Sequence, residues 1–411
     1  MTDLAWVGAA LASARPQAMG ALARYFRDLD AAEEAFADAS LRALKAWPVN
    51  GPPRDPAAWL IFVGRNAGVD RVRRTARETE LPDERELSDL GDEEEAAVER
   101  LDGAAYRDDI LRLLFICCHP DLPPAQQIAL ALRIVSGLTV PQIARAFLVG
   151  EAAMEQRITR AKARVARSGS AFETPTAAER DGRLEAVAAM VYLVFNEGYS
   201  TPEAAAERRG LCDEAIRLGR LLLRIFPAEP ELMGLLALML LQQARAPARL
   251  DGAGAIVLLE HQDRARWDRE EIAEGLALID KAMRHRRPGP YQAQAAVAAL
   301  HARAGSWAET DWAQIALLYG ALEQMIPSPV ITLNRAAAVA KVEGAEAALA
   351  LVEPLAERLA GYFYFHGMRG ALLKELGRNA EARAAFGQAI ALAKSGAEAA
   401  HIRSELDALA G

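Results

Sequence analysis

The chain has too few cysteines for a disulfide framework. Only Cys117, Cys118 and Cys212 occur among its 411 residues, a sparse and odd-numbered set that fits a reducing cytoplasm. Apolar residues make up 52% of the sequence, yet no run approaches the roughly 20 that a membrane span requires, so a soluble chain with no membrane partner is expected. The N-terminus carries Asp3 and no basic region ahead of a long apolar stretch, which is unlike a secretory signal. Cys117, Cys118 and His119 are adjacent and lack the two-residue gap of zinc sites; packing, not metal, is the expected role. Gly252-Ala253-Gly254 is too short for a dinucleotide loop and has no strand before it. With no nucleophile–base spacing either, the expectation is no catalytic residue, no cofactor and no metal. Net positive charge is also lacking, at −8 overall, but charge has to be counted by segment.

Its distribution is uneven. Between Thr79 and Asp102 stand eleven acidic residues opposed only by Arg85 and Arg100. Low hydrophobicity and self-repulsion make residues 79–105 a linker between a helical unit at 1–78 and a second at 106–170. From Pro124 to Ser168 the balance reverses: Arg133, Arg145, Arg157, Arg160, Lys162, Arg164 and Arg167 face only Glu151 and Glu155. Positive charge is concentrated where a nucleic acid would bind.

Two motifs carry the chemistry. Pro56 to Arg74 reads as one helix, with proline suited to its first turn and Trp59, Phe62, Val63, Asn66, Val69, Asp70 and Arg73 on one broad face. Further on, Gly137 to Leu148 reads as a short helix with Thr139 as its N-cap, then a turn at Val149-Gly150. A longer basic helix follows from Glu151, with Met154, Ile158, Ala161 and Val165 buried. This is a helix-turn-helix pattern, whose second helix would enter the major groove. By spacing, Glu155, Gln156, Thr159 and Arg160 face away from the buried stripe, towards base edges or phosphates.

Together these units resemble a bacterial sigma factor of the extracytoplasmic-function (ECF) type, in the sigma-70 family, over about residues 10–170. The resemblance rests on Trp59, Leu60, Arg65, Asn66, Asp70 and Arg73, and on Ala32-Glu33-Glu34 with Asp38 through Leu41-Arg42-Ala43. It implies that Glu33, Glu34, Asp38, Leu41 and Arg42 grip core RNA polymerase. It implies that the loop Pro48–Asp55, with Asn50 and Arg54, captures an unstacked minus-ten base that Asn66 hydrogen-bonds, while Arg65, Arg71, Arg73 and Arg74 hold phosphates. Glu155, Gln156, Arg157, Thr159 and Arg160 match the positions that read the minus-thirty-five element, and the acidic linker would either thread through polymerase or serve as a solvated tether.

About 240 residues follow the helix-turn-helix. Gly370, Gly377, Ala382, Phe386 and Ala389 stand at tetratricopeptide spacing, with Gly344 about one repeat earlier. Residues 171–411 are therefore expected to be an α-helical, partly tetratricopeptide-like regulatory solenoid that contacts the sigma units or a regulatory protein, which completes an all-α fold. Asn196, Glu197 and Tyr199 are expected to make a structural polar pocket with Glu260, Gln262, Asp263, Arg264 and Trp267. The alternatives to a sigma factor are a stand-alone helix-turn-helix regulator with a tetratricopeptide-like interaction domain, a solenoid adaptor, and an enzyme centred on Asn196–Tyr199.

Overall fold

Side-chain caps fix where the first helices begin, and the computed structural model shows them formed. It describes residues 5–51, 53–76, 103–147, 149–168, 177–199, 205–252, 257–393 and 396–409, and the acidic linker lies outside these. The chain divides into two compact units, Met1–Glu197 and Gly198–Gly411.

The first unit opens with α1 (Ala5–Phe26), α2 (Leu29–Asn50) and α3 (Pro56–Ala76). Asp28 caps α2 by accepting from the Ala31 N–H at 2.7 Å. Asp55 caps α3 by accepting from Ala57 and Ala58 at 2.9 and 3.1 Å. Each cap satisfies backbone donors that the first turn cannot pair internally. The buried stripe of α3 is Ala57, Leu60, Ile61, Gly64 and Ala67, the i, i+3, i+4, i+7 spacing of a helix on a core. Trp47 stacks on Trp6 at 6.5 Å and meets Trp59 edge-on at 5.4 Å, which pins the end of α2 to the start of α3.

Next come α4 (Gly103–Cys117), α5 (Pro124–Ile134), α6 (Val140–Ala146), α7 (Glu151–Arg167) and α8 (Ala177–Tyr199). α4 lies against α1 so closely that a Cβ on Gly20 would stand 2.5 Å from the Asp109 carbonyl oxygen. Cys117 and Cys118 are buried free thiols, the latter pushed up to about 12 by burial. Thr139 and Gln142 form a reciprocal capping box at the start of α6. α8 packs with this unit through Arg183, 5.7 Å over the Phe115 ring, so the first unit ends at Glu197 and not near residue 170.

The second unit contains α9 (Ala205–Ile225), α10 (Pro230–Gln243), α11 (Arg269–Met283), α12 (Pro290–Arg303), α13 (Trp312–Met325), α14 (Pro329–Val342), α15 (Ala345–Val352), α16 (Phe363–Glu375), α17 (Asn379–Leu392) and α18 (Gly396–Asp407). α10 is apolar all round and buried by neighbours on several sides. From α13 onward each helix packs against the next in the chain. A Cβ on Gly370 would lie 2.6 Å from the Phe386 ring, so glycine is what lets α16 and α17 close over that ring. Gly344 and Gly377 both hold positive φ, 91° and 72°, and mark equivalent turns of two repeats. No helix among the described residues is long and apolar enough to cross a membrane.

Candidate nucleic-acid interface

α3 presents its polar groups outward. Asn66 and Arg65 are exposed, off the buried stripe, so the Asn66 amide is free of the core, and the Arg65 guanidinium lies 4.2 Å over the Tyr25 ring. The helix runs to Ala76 and carries Arg71, Arg73 and Arg74 in its last turns; their side chains, and that of Asp70, lie outside the described residues. The loop before α3 is shorter than expected. Pro48, Val49 and Asn50 belong to α2, which ends at Gly51, where φ is 84° and the N–H reaches the Trp47 carbonyl at 2.9 Å. The Trp47 packing holds the helix together past Pro48, and only glycine takes the left-handed turn that stops it. Asn50 and Arg54 are exposed on either side of this shortened loop.

The helix-turn-helix forms as α6 and α7. Met154, Ile158, Ala161 and Val165 are buried, while Glu155, Gln156, Thr159 and Arg160 are exposed and Arg157 is half-buried. Four of the five expected reading residues thus share the outer face of α7.

The expected polymerase-binding residues of α2 separate. Leu41 is 59% exposed, Glu34 is exposed, and Asp38 and Arg42 are half-buried. Glu33 points elsewhere, into a cluster that joins α1 and α2 to α5 and α7. Its carboxylate lies 2.9 Å from Arg133 Nε and 3.8 Å from Arg15 Nη2, and accepts from Lys162. Lys162 also donates to Asp30 at 2.6 Å. Arg15 donates to the Ile134 and Arg133 carbonyls at 3.1 and 3.2 Å, over the open end of α5. Gly137 leaves the room it needs, since a Cβ there would meet Arg15 Cδ at 2.7 Å. Arg24 adds a bridge to Asp109 of α4 at 2.7 Å. Burial pushes Arg15 down to about 10, Glu33 opposing the fall and Arg133 adding to it. Burial also works against the Lys162 ammonium, but its hydrogen bonds to Asp30 and Glu33 win and hold it above its ordinary value. Nothing in the spacing of residues 15, 33, 133 and 162 foretells this meeting, because it depends on how two helical bundles dock.

In the second unit the expected polar pocket forms in part. Gln262 is buried, accepts from Arg245 Nε at 3.2 Å and donates to the Val257 carbonyl at 2.9 Å. Arg249 donates to the Tyr199 carbonyl at 2.7 Å and lies 3.6 Å over its ring. Trp267 lies between two arginines, with Arg264 at 4.7 Å and Arg245 at 5.8 Å. Glu260 and Asp263 are exposed and stay out of this cluster. Arg245 and Arg249 were not foreseen, although their four-residue spacing just after an apolar helix is a visible signal. Among the described residues no three His, Cys, Asp or Glu side chains gather as a metal site.

Comparison with known proteins agrees with this layout. Residues 11–78 match Sigma-70 region 2, residues 112–165 match Sigma-70 region 4, and residues 183–283 match a family of unknown function, DUF6596. An uncharacterised protein of Rhizobium meliloti (strain 1021) is 70% identical over 413 residues, covering 100% of this chain and 97% of its own. The region 2 match covers most of α1 with α2 and α3, the region 4 match covers α5, α6 and nearly all of α7, and the DUF6596 match runs from within α8 to the end of α11. On these matches the chain belongs to the sigma-70 family, as an ECF-type sigma factor with a C-terminal helical extension.

Proposed function

We propose that the protein binds core RNA polymerase, directs it to promoters through α3 and α7, and is regulated through its helical extension. The observation that carries this reading is the outward face of α7, where Glu155, Gln156, Thr159 and Arg160 are exposed above a buried Met154/Ile158 stripe. In this reading Asn66 hydrogen-bonds an unstacked minus-ten base, Arg65 with Arg71, Arg73 and Arg74 holds phosphates, and Asn50 and Arg54 frame the loop that receives the base. Glu34, Asp38, Leu41 and Arg42 form the polymerase-facing patch on α2.

Glu33 belongs to two states. Minus-ten and minus-thirty-five elements lie 25 base pairs apart, about 85 Å of duplex at about 3.4 Å per step. A 17-residue helix such as α7 spans only about 25 Å, and here it is hydrogen-bonded directly to α2. We infer that this docked arrangement is a resting form, and that polymerase takes Glu33 from Arg15, Arg133 and Lys162 as the two DNA-reading modules separate. Co-purification with core RNA polymerase followed by run-off transcription tests the function. Promoter-dependent transcripts requiring both the protein and core enzyme are expected; promoter binding unaffected by core enzyme would instead identify a free-standing regulator. Removal of residues 200–411, which leaves α8 with the first unit, tests the control: higher output means the extension masks, and lost output means it is required as a scaffold.

A further inference from the structure

The C-terminal extension holds two arginines, Arg245 and Arg264, that make no direct ion pair among the described residues. Arg245 is largely withdrawn from water, donates to Gln262 through Nε, and makes no ion pair among the described residues. Arg264 spends Nη1 on the His301 and Ala304 carbonyls at the end of α12, while its Nη2 is buried without a hydrogen-bond partner. Trp267 Nε1 and His301 Nδ1 are buried and unpartnered as well. The four side chains are neighbours: both guanidinium groups approach the Trp267 ring, and Arg264 donates to the His301 carbonyl.

Glu309 favours the Arg264 charge through space but makes no ion pair with it, its Oε2 accepting from the Gly305 N–H at 3.2 Å, and the acids nearby in sequence are engaged elsewhere. Glu260 pairs with His261 at 3.4 Å, Asp263 accepts from the Ala265 N–H, and Asp268 caps α11 through Glu270 and Glu271. Burial and the two arginines push the His301 pKa down to about 4, so the ring is neutral at pH 7 and offers Nδ1 without adding a third positive charge. Buried cations and donors left unsatisfied are costly, and an anion would relieve both deficits together.

We propose that Arg245, Arg264, Trp267 and His301 form a binding site for a small oxyanion, the carboxylate or phosphate group of a ligand read by the extension. The guanidinium groups supply charge-assisted donors, and the indole N–H and imidazole nitrogen fix its orientation. The site stands apart from promoter recognition and does not depend on it.

Isothermal titration of the full-length protein at constant ionic strength, with inorganic phosphate and separately with acetate, tests the site. Saturable one-site binding of at least one probe is expected: phosphate alone assigns a phosphoryl group, acetate alone a carboxylate. Arg245→Gln and Arg264→Gln should each weaken binding about tenfold, the scale of one lost charge-assisted hydrogen bond. Trp267→Phe keeps a ring in place but removes the N–H, and should weaken binding several-fold even if an arginine variant fails to fold. Arg220→Gln, whose native side chain pairs with Glu274 at 2.6 Å, should leave binding unchanged. Absence of saturable binding by both probes, or binding unaltered by Trp267→Phe and by whichever arginine variants fold, would overturn the proposal.

Discussion

Cations are handled in opposite ways in the two units. In the first, Arg15, Arg133 and Lys162 converge on Glu33, and Lys162 also reaches Asp30. In the second, Arg245, Arg249 and Arg264 meet aromatic faces, a glutamine and backbone carbonyls. In the first cluster every cation has a carboxylate within ion-pair distance, so acting requires breaking it. The second gives Arg245 and Arg264 no direct ion pair among the described residues, so acting requires filling it. A sigma factor that carries its own extension thereby has two distinct electrostatic inputs, one within the DNA-reading half and one in the extension.

The largest expected effect comes from reversing the charge at the centre of the first cluster. Glu33→Lys would set a fourth cation against Arg15, Arg133 and Lys162, and it should destabilise the docking of α5–α7 on α1 and α2 by on the order of 3 kcal/mol. Hydrogen exchange in α6 and α7 should then accelerate by one to two orders of magnitude or more, while exchange in α13–α17 stays unchanged. Uniform acceleration in both units would mean that Glu33 serves general stability and is not a local latch.

pH separates the same two clusters. His301 has a folded-state pKa of about 4 against an ordinary 6.5, so the unfolded chain binds the proton more tightly. Its contribution to stability is therefore full above about pH 6.5 and is lost as pH falls towards 4, by up to about 3 kcal/mol. Lys162 is shifted upward, so its contribution is full below pH 10.5 and is lost as pH rises beyond that. Thermal unfolding across the pH range should show the second unit weakening on the acid limb through a contribution that His301→Gln removes. The docking of α7 on α2 should loosen on the alkaline limb.

Local chemistry was legible in the sequence; docking was not. The α3 helix, the Thr139 cap, the buried Met154/Ile158/Ala161/Val165 stripe and the Gly370/Phe386 repeat contact are set by residues a few positions to one repeat apart, and the structure shows each. The motif assigns Glu33 to polymerase but says nothing of its partners within the chain. Its meeting with Arg133 and Lys162 spans 100 and 129 positions and leaves no periodic trace. The same holds for Arg264 over the end of α12. The start of the minus-ten loop was misplaced for a related reason: Pro48 signals a helix end, but the Trp6–Trp47–Trp59 packing carries α2 on to Asn50.

Smaller effects sharpen how the reading surfaces work. Asn66 is exposed and takes no part in the core, so Asn66→Ala should leave folding and polymerase affinity unchanged. It should reduce promoter opening by about 1–2 kcal/mol, the scale of one base contact, read as the open-complex fraction on a promoter. An equal fall in core binding would remove the base-capture role.

The smallest effect distinguishes local from long-range control of the helix-turn-helix. Thr139 accepts from the Gln142 N–H at 3.3 Å, and Gln142 returns the bond to the Thr139 N–H at 2.8 Å; both residues are exposed. Thr139→Ala should cost about 1 kcal/mol at the start of α6. If the cap alone positions α6, the loss will appear equally in the docked protein and in the Glu33→Lys variant. If docking through Arg15, Arg133 and Lys162 also restrains the motif, the docked protein will mask part of the loss and the open variant will show it in full. Exchange rates of the α6 amides in the two single variants and the double variant separate these outcomes, because a coupling energy beyond about 0.5 kcal/mol can arise only if the cap and the latch act on the same element.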